Sequence, residues 1–249
     1  MDASAIPGIL GLELFVQYAA RWLELVESPD STALRQSFTV PPTKAAGGAR
    51  LLALRFPLKQ IVRLVSTVGA AHIKASFVVV PGPAGQPRFS VALSASNDLG
   101  ARLSSYYLAE DYQLPAADAD QPGPADQAAA LALGATPGVL ARTWRQLWRR
   151  APAITPALFA SPYGFLRGYT FTVSDFVAAL AGVQSADEGS LVVHFGLHEY
   201  YRPDPVAGDA LAYTFGLILQ LRDAAKDHDG GDGDGDPFYD MSAPCPPNC

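Results

Sequence analysis

Cysteine is almost missing from this chain. Only Cys245 and Cys249 occur among 249 residues, both at the very end. Disulfides therefore do not hold the body together, which fits a reducing compartment. An excess of basic charge is also missing. Residues 1–222 hold 17 acidic and 17 basic side chains, so the formal charge of −6 falls in residues 223–249. A neutral body lacks the concentrated positive field by which proteins displace counterions from nucleic acid. No apolar run approaches the roughly 20 residues that cross a bilayer. The opening Met1-Asp2-Ala3-Ser4 lacks the basic start of a secretory signal, so a soluble, cytoplasmic protein is expected. Signature motifs are scarce as well. The chain has no G-x-x-x-x-G-K-[ST] loop, no G-x-G-x-x-G after a strand, no G-x-S-x-G, no H-E-x-x-H and no C-x-x-C. No catalytic residue is assigned, and neither a cofactor nor a metal is implied. What remains is ample core material: 49% of residues are hydrophobic and 10% aromatic.

Periodicity divides that material into helices and strands. Leu12, Phe15, Val16, Ala19, Trp22, Leu23 and Val26 recur at helical spacing and predict a helix over 7–28 with one apolar face. Thr136 and Pro137 suit the start of a second helix to Arg150, with Leu140, Trp144, Leu147 and Ala151 on its apolar side. Strict alternation marks strands at 50–59, 72–81 and 88–96, and again at 165–173, 190–199 and 214–222. Short helices are expected at 60–68, stopped by Gly69, and at 175–181, capped by Ser174.

The order of elements repeats. RFPLKQIVRLV (55–65) falls on TFTVSDFVAAL (170–180), and HIKASFVVV (72–80) on SLVVHFGLH (190–198). Trp144 takes the place of Trp22, and the offset drifts from 122 there to 115, 118 and 126. Unequal loop lengths produce such a drift. The fold class expected is α+β, with two copies of a helix–strand–helix–strand–strand unit packed as a pseudo-symmetric body. The first repeat covers 1–109, a Pro/Ala/Asp linker 110–135, the second repeat 136–222, and an acidic, disordered tail 223–249. Each copy alone is small for a stable core, so the copies are expected to share one sheet of about six strands.

The tail begins with acids at 223–240 and includes DHDGGDGDGD (227–236). An EF-hand loop starting at Asp232 would place Pro237 at the glycine position and Ala243 at the bidentate glutamate position, so a flexible acidic linker is the better reading. Phe238 and Tyr239 are candidates to anchor an extended peptide in a groove. Cys245 and Cys249 at the Cys-Pro-Pro-Asn-Cys end could form a small loop disulfide or supply two zinc ligands. FYDMSAPCPPNC resembles the C-termini of uncharacterised bacterial proteins that end in Tyr-Asp, a short spacer and Pro-Cys-Pro-x-x-Cys. The resemblance covers about twelve residues and implies a shared tail without implying a mechanism.

Candidate ligand-binding residues are His194, His198 and Tyr200. On one strand His194 and His198 face the same way about 13 Å apart, too far to bind one metal together. Lying opposite Phe195 and Leu197, they are expected to meet solvent or a partner. Arg142, Arg145 and Arg149 form a helical stripe, read as a solvated face with late arginines complementing the helix C-terminus. The leading functional expectation is a non-enzymatic interaction or assembly protein, self-associating or binding a protein partner through its tail. The alternative is a small-molecule binder or enzyme with a cleft between the repeats. Nucleic-acid binding through the arginine helix is a third class.

Overall fold

A computed structural model of the chain describes residues 8–40, 48–82, 85–112, 135–180, 189–202, 210–222, 238–239 and 243–244. The described residues form an α+β structure whose strand pairings are all antiparallel. Before the linker come β1 (Ile9–Leu10), α1 (Leu12–Glu27), α2 (Thr32–Ser37), β2 (Thr39–Val40), β3 (Ala49–Arg50), β4 (Ala53–Pro57), α3 (Leu58–Val65), β5 (His72–Pro81), β6 (Pro87–Ser96), β7 (Tyr106–Leu108) and β8 (Glu110–Asp111). After it come β9 (Ala135–Thr136), α4 (Gly138–Arg150), a 3-10 turn (Pro156–Phe159), β10 (Ala160–Ser161), β11 (Gly164–Phe165), β12 (Gly168–Thr172), α5 (Val173–Leu180), β13 (Ser190–Arg202), β14 (Ala210–Arg222), β15 (Phe238–Tyr239) and β16 (Ala243–Pro244).

The expected single sheet is replaced by two, each of six strands. Their orders are β1-β7-β6-β5-β12-β16 and β8-β4-β13-β14-β15-β9. Strands are exchanged between them. β4 leaves its neighbours in sequence to pair with β13, and β12 pairs with β5. Neither partner choice can be read from alternation, because alternation fixes which face is buried and says nothing about which strand lies alongside.

Alternation did mark the inward faces. Phe77 and Phe89 from the first sheet meet Phe195 and Phe215 from the second, with Phe89–Phe195 centroids 5.5 Å apart and Phe77–Phe215 5.6 Å apart. Phe38, at the end of α2, stacks between them on Phe89 at 4.4 Å and on Phe159 at 5.6 Å. Edge-to-face and offset arrangements of this kind each add about 0.5–1.5 kcal/mol beyond burial. The hydroxyl of Tyr169 on β12 donates to the Phe215 carbonyl, tying one sheet to the other.

Two tryptophans close the core, and both are fully buried. Trp22 of α1 donates its indole N–H to the Leu166 carbonyl at 2.8 Å, and Trp148 of α4 donates to the Leu51 carbonyl at 2.9 Å. Each bond joins a residue before the linker to one after it. Trp144, expected in the place of Trp22, lies outside this aromatic core, and Trp148 has the burial and the bond that match Trp22. Arg50 donates to the Trp148 and Ala151 carbonyls at the C-terminus of α4, an end that favours a cation.

The apolar stripe predicted for α1 is only partly buried. Trp22 and Val26 are in the core, whereas Leu12 is 56% and Val16 57% exposed. Most of the tail expected to be flexible, 223–237, 240–242 and 245–249, lies outside the described residues. Among its described residues, β15 pairs with β14 and β9, and β16 pairs with β12. Glu110–Asp111 and Ala135–Thr136, assigned to the linker, are likewise strands, at the two opposite edges of the second sheet. Among the described residues no helix is long and apolar enough to cross a membrane.

Candidate functional site

The second sheet carries a polar constellation on its outer face. β13 and β14 form a long hairpin in which His194 lies opposite Ile218, Gly196 opposite Gly216, and His198 opposite Thr214. This register sets Gln220 diagonally across from His194. Their side chains meet, with His194 Nε2 2.8 Å from Gln220 Oε1. Arg222 Nε donates to the same oxygen at 3.4 Å, which fixes that atom as the carbonyl and makes His194 the Nε2–H tautomer. Arg222 also donates to the Tyr112 hydroxyl at 3.2 Å, and the Arg55 guanidinium sits over the Tyr112 ring at 5.8 Å. Arg55 in turn pairs with Glu110 at 2.9 Å in an exposed ion pair. The constellation thus draws on segments from both sides of the linker.

His194 is completely buried, so the expectation that it meets solvent or a partner is corrected. An alternating strand next to water normally shows its polar face outward. Here α4 packs along β13 and covers that face. Gly196 permits the close approach of α4, and Gly216 that of the His198 side chain. A Cβ on Gly196 would come within 3.1 Å of Trp144 Cβ, and one on Gly216 within 2.3 Å of His198 Nε2. The His198 ring therefore lies over Gly216 and stacks on Trp144, with centroids 4.2 Å apart and planes 12° apart. Trp144 also packs on Ala141 and Ile218. Tyr200 sits at the strand end, where the face emerges into solvent, apart from the buried histidine.

Burial is the main reason that His194 holds a proton less readily than an ordinary histidine. The nearby charges of Arg145 and Arg222 push the same way, and the bond to Gln220 opposes them. Arg145, expected on a solvated stripe, is instead a half-buried neighbour of this site. The neutral form of His194 is favoured in the folded state. Above the ordinary value of 6.5 the ring is neutral whether the chain is folded or not, and the native state keeps its full stability. Below 6.5 the unfolded chain gains a proton that the buried ring resists. Stability is therefore expected to fall as pH drops, by up to about 1.4 kcal/mol per pH unit. Urea unfolding at pH 7.5, 6.5 and 5.5 tests this, and His194→Gln should flatten the dependence. An unchanged slope in the variant would assign the effect elsewhere.

Gln220, Arg222 and Tyr112 were not singled out from sequence. The available signal was the polar interruption of β14 opposite its apolar face, together with the glycines at 196 and 216, which mark close backbone approach. Phe238 and Tyr239 lie in β15, while Cys245 and Cys249 fall outside the described residues. Among the described residues no three His, Cys, Asp or Glu side chains are placed to hold a metal ion. No protein-family model matches this chain, and no curated protein or solved structure is significantly similar to it.

Proposed function

We propose that this protein is a non-enzymatic assembly protein of the cytoplasm whose body is a fused pair of corresponding α+β repeats. The observation behind the assembly role is the set of aliphatic side chains exposed near the N-terminal ends of the two long helices. Leu12, Leu14 and Val16 project from α1, and Val139 and Leu140 from α4. A contiguous exposed apolar patch marks a surface that another protein covers, and Leu12 and Val16, four residues apart, share one side of α1. The acidic segment 223–236 and the Cys245–Cys249 end are assigned to recruiting or tethering a partner.

Support for the repeat reading comes from hydrogen bonds that fall at corresponding places. Besides the two tryptophan bonds, Phe77 N–H meets Arg167 O at 2.8 Å and Phe195 N–H meets Leu52 O at 3.0 Å. Leu58 N–H meets Gly189 O at 3.0 Å and Val173 N–H meets Ala71 O at 2.9 Å. The exchanged strands run from Ala53↔His194 to Pro57↔Ser190 in one sheet and from Gly168↔Ser76 to Thr172↔His72 in the other. At the edges, Ile9↔Tyr107 corresponds to Ala135↔Tyr239, and Arg55↔Glu110 to Thr170↔Ala243. On this reading the second copy extends past 222 and takes in β15 and β16.

Native mass spectrometry of the full-length protein is expected to give a discrete multiple of 26.3 kDa or a defined complex. Leu12→Glu with Val16→Glu should return the protein to a folded monomer. A monodisperse monomer at micromolar concentration, with no partner recovered on the tail, would rule out assembly. The second reading, a small-molecule-binding protein, is favoured by one observation, the buried polar constellation around His194. A monomer carrying extra mass would support it.

A further inference from the structure

We propose that Arg145, His194, Gln220 and Arg222 form a binding site for a small oxyanion, a phosphate or carboxylate group. The proposal rests on the repeat reading and gives the small-molecule alternative a ligand class. The repeat supplies an internal comparison. Both hairpins keep one register: His194 lies opposite Ile218 as Ser76 lies opposite Ala92, and Ser190 opposite Arg222 as His72 opposite Ser96. By that correspondence Ser76 stands where His194 does, Ser94 where Gln220 does, and Ser96 where Arg222 does. Matching Trp22 with Trp148 likewise sets Ala19 at the place of Arg145.

The first sheet therefore builds the same hairpin with serines at these positions, and Ser94 and Ser96 are buried. The architecture does not require an imidazole, an amide and two guanidinium groups here. Burying such groups costs free energy, because each leaves strong hydration behind. One copy bears that cost and the other does not, which points to a role specific to the second sheet.

The chemistry of the four groups fits an oxyanion. Arginine presents a planar fork of donors matched to two oxygens of one phosphate or carboxylate. Gln220 and the Tyr112 hydroxyl orient Arg222, at 3.4 and 3.2 Å. His194 spends its Nε2–H on Gln220, so it adds no charge and serves to hold Gln220 in position. The positive charge belongs to the guanidinium groups. Arg145 and Tyr112 are half-buried, and the charge of Arg145 is felt at His194, which brings a second guanidinium to this face.

The test is calorimetric titration of the full-length protein with inorganic phosphate, and separately citrate, at constant ionic strength. Two variants accompany it. Arg145→Ala installs the residue of the matching α1 position. His194→Ser with Gln220→Ser and Arg222→Ser installs the serines of the first sheet. Saturable binding to the native chain, weakened at least tenfold in Arg145→Ala and lost in a cooperatively folded triple variant, is the expected result. A hundredfold excess of anion over its Kd should then raise the folded-to-unfolded ratio about a hundredfold. No saturable binding by a native chain whose triple variant folds would overturn the site while leaving the repeat reading intact. A triple variant that does not fold would overturn the inference differently, by making the constellation a structural requirement and removing the equivalence on which the comparison rests.

Discussion

Trp148→Ala and Trp22→Ala are each expected to destabilise the protein by about 3–5 kcal/mol, the range for deleting a fully buried large aromatic. Each indole fills a site ringed by other aromatics. Trp22 lies 5.0–5.4 Å from Phe77, Phe89 and Phe159, and Trp148 lies 5.0–5.3 Å from Phe38 and Phe215. Alanine leaves a cavity that rings from both sheets cannot collapse into without breaking their own contacts. It also strands the Leu166 or Leu51 carbonyl, because the lost donor came from the other side of the linker. Against a typical total of about 5–15 kcal/mol, either change brings the domain close to unfolding. Trp144→Ala is the control. Half-buried on the outer face, it should cost clearly less. Urea denaturation of the three variants checks the ranking, and a Trp144 loss equal to the others would contradict the placing of Trp148, and not Trp144, in the core between the sheets.

Gly168→Ala is expected to cost roughly 2–4 kcal/mol, far above an ordinary strand substitution. Gly168 opens β12 with φ of +151°, a conformation that L side chains rarely adopt. A Cβ there would sit 2.2 Å from the Ala75 carbonyl oxygen and 2.9 Å from Ser76 Cα. Both are backbone atoms of the neighbouring strand, so no side-chain rotation relieves the clash. The strand pair itself must separate at the point where β12 joins the first sheet. The unfolding midpoint reports the loss. Gly85→Ala offers a comparison, because Gly85 also has positive φ, at 76°, but meets nothing within 4 Å. Its cost should stay near that of the backbone strain alone. Equal losses at the two positions would show that packing against β5 is not what glycine 168 serves.

Much of the architecture was legible because it is local. Strict alternation placed β5 and β6 within a residue of their observed limits, since a strand with one core-facing side must repeat every two residues. The long helices were legible from their apolar spacing. Trp144 and Trp148 show the limit of that logic. One helical turn apart, they share a side of α4, yet Trp148 enters the core between the sheets while Trp144 lies on the outer face against His198. Helical spacing records direction around one axis and not what lies alongside at each height.

The polar residues on β13 mislead for a related reason. His194 and His198 alternate with Phe195 and Leu197 in the way a solvent-facing row does. Only the packing of α4 across Gly196, with the His198 ring over Gly216, turns that row into an interior. The described residues of the tail show the same dependence: their setting reads as unpaired chain, yet β16 forms an edge of the first sheet and β15 lies between β14 and β9 in the second. Sequence by itself determined the α+β class, the inward faces, and the aromatic material of the core, all consequences of short-range periodicity. Tertiary structure alone decided the exchange of β4 and β12, the burial of His194, and its meeting with Gln220 and Arg222. Those depend on which distant segments come together, and the free energy of that choice is spread over backbone pairing and packing that no single stretch of sequence contains.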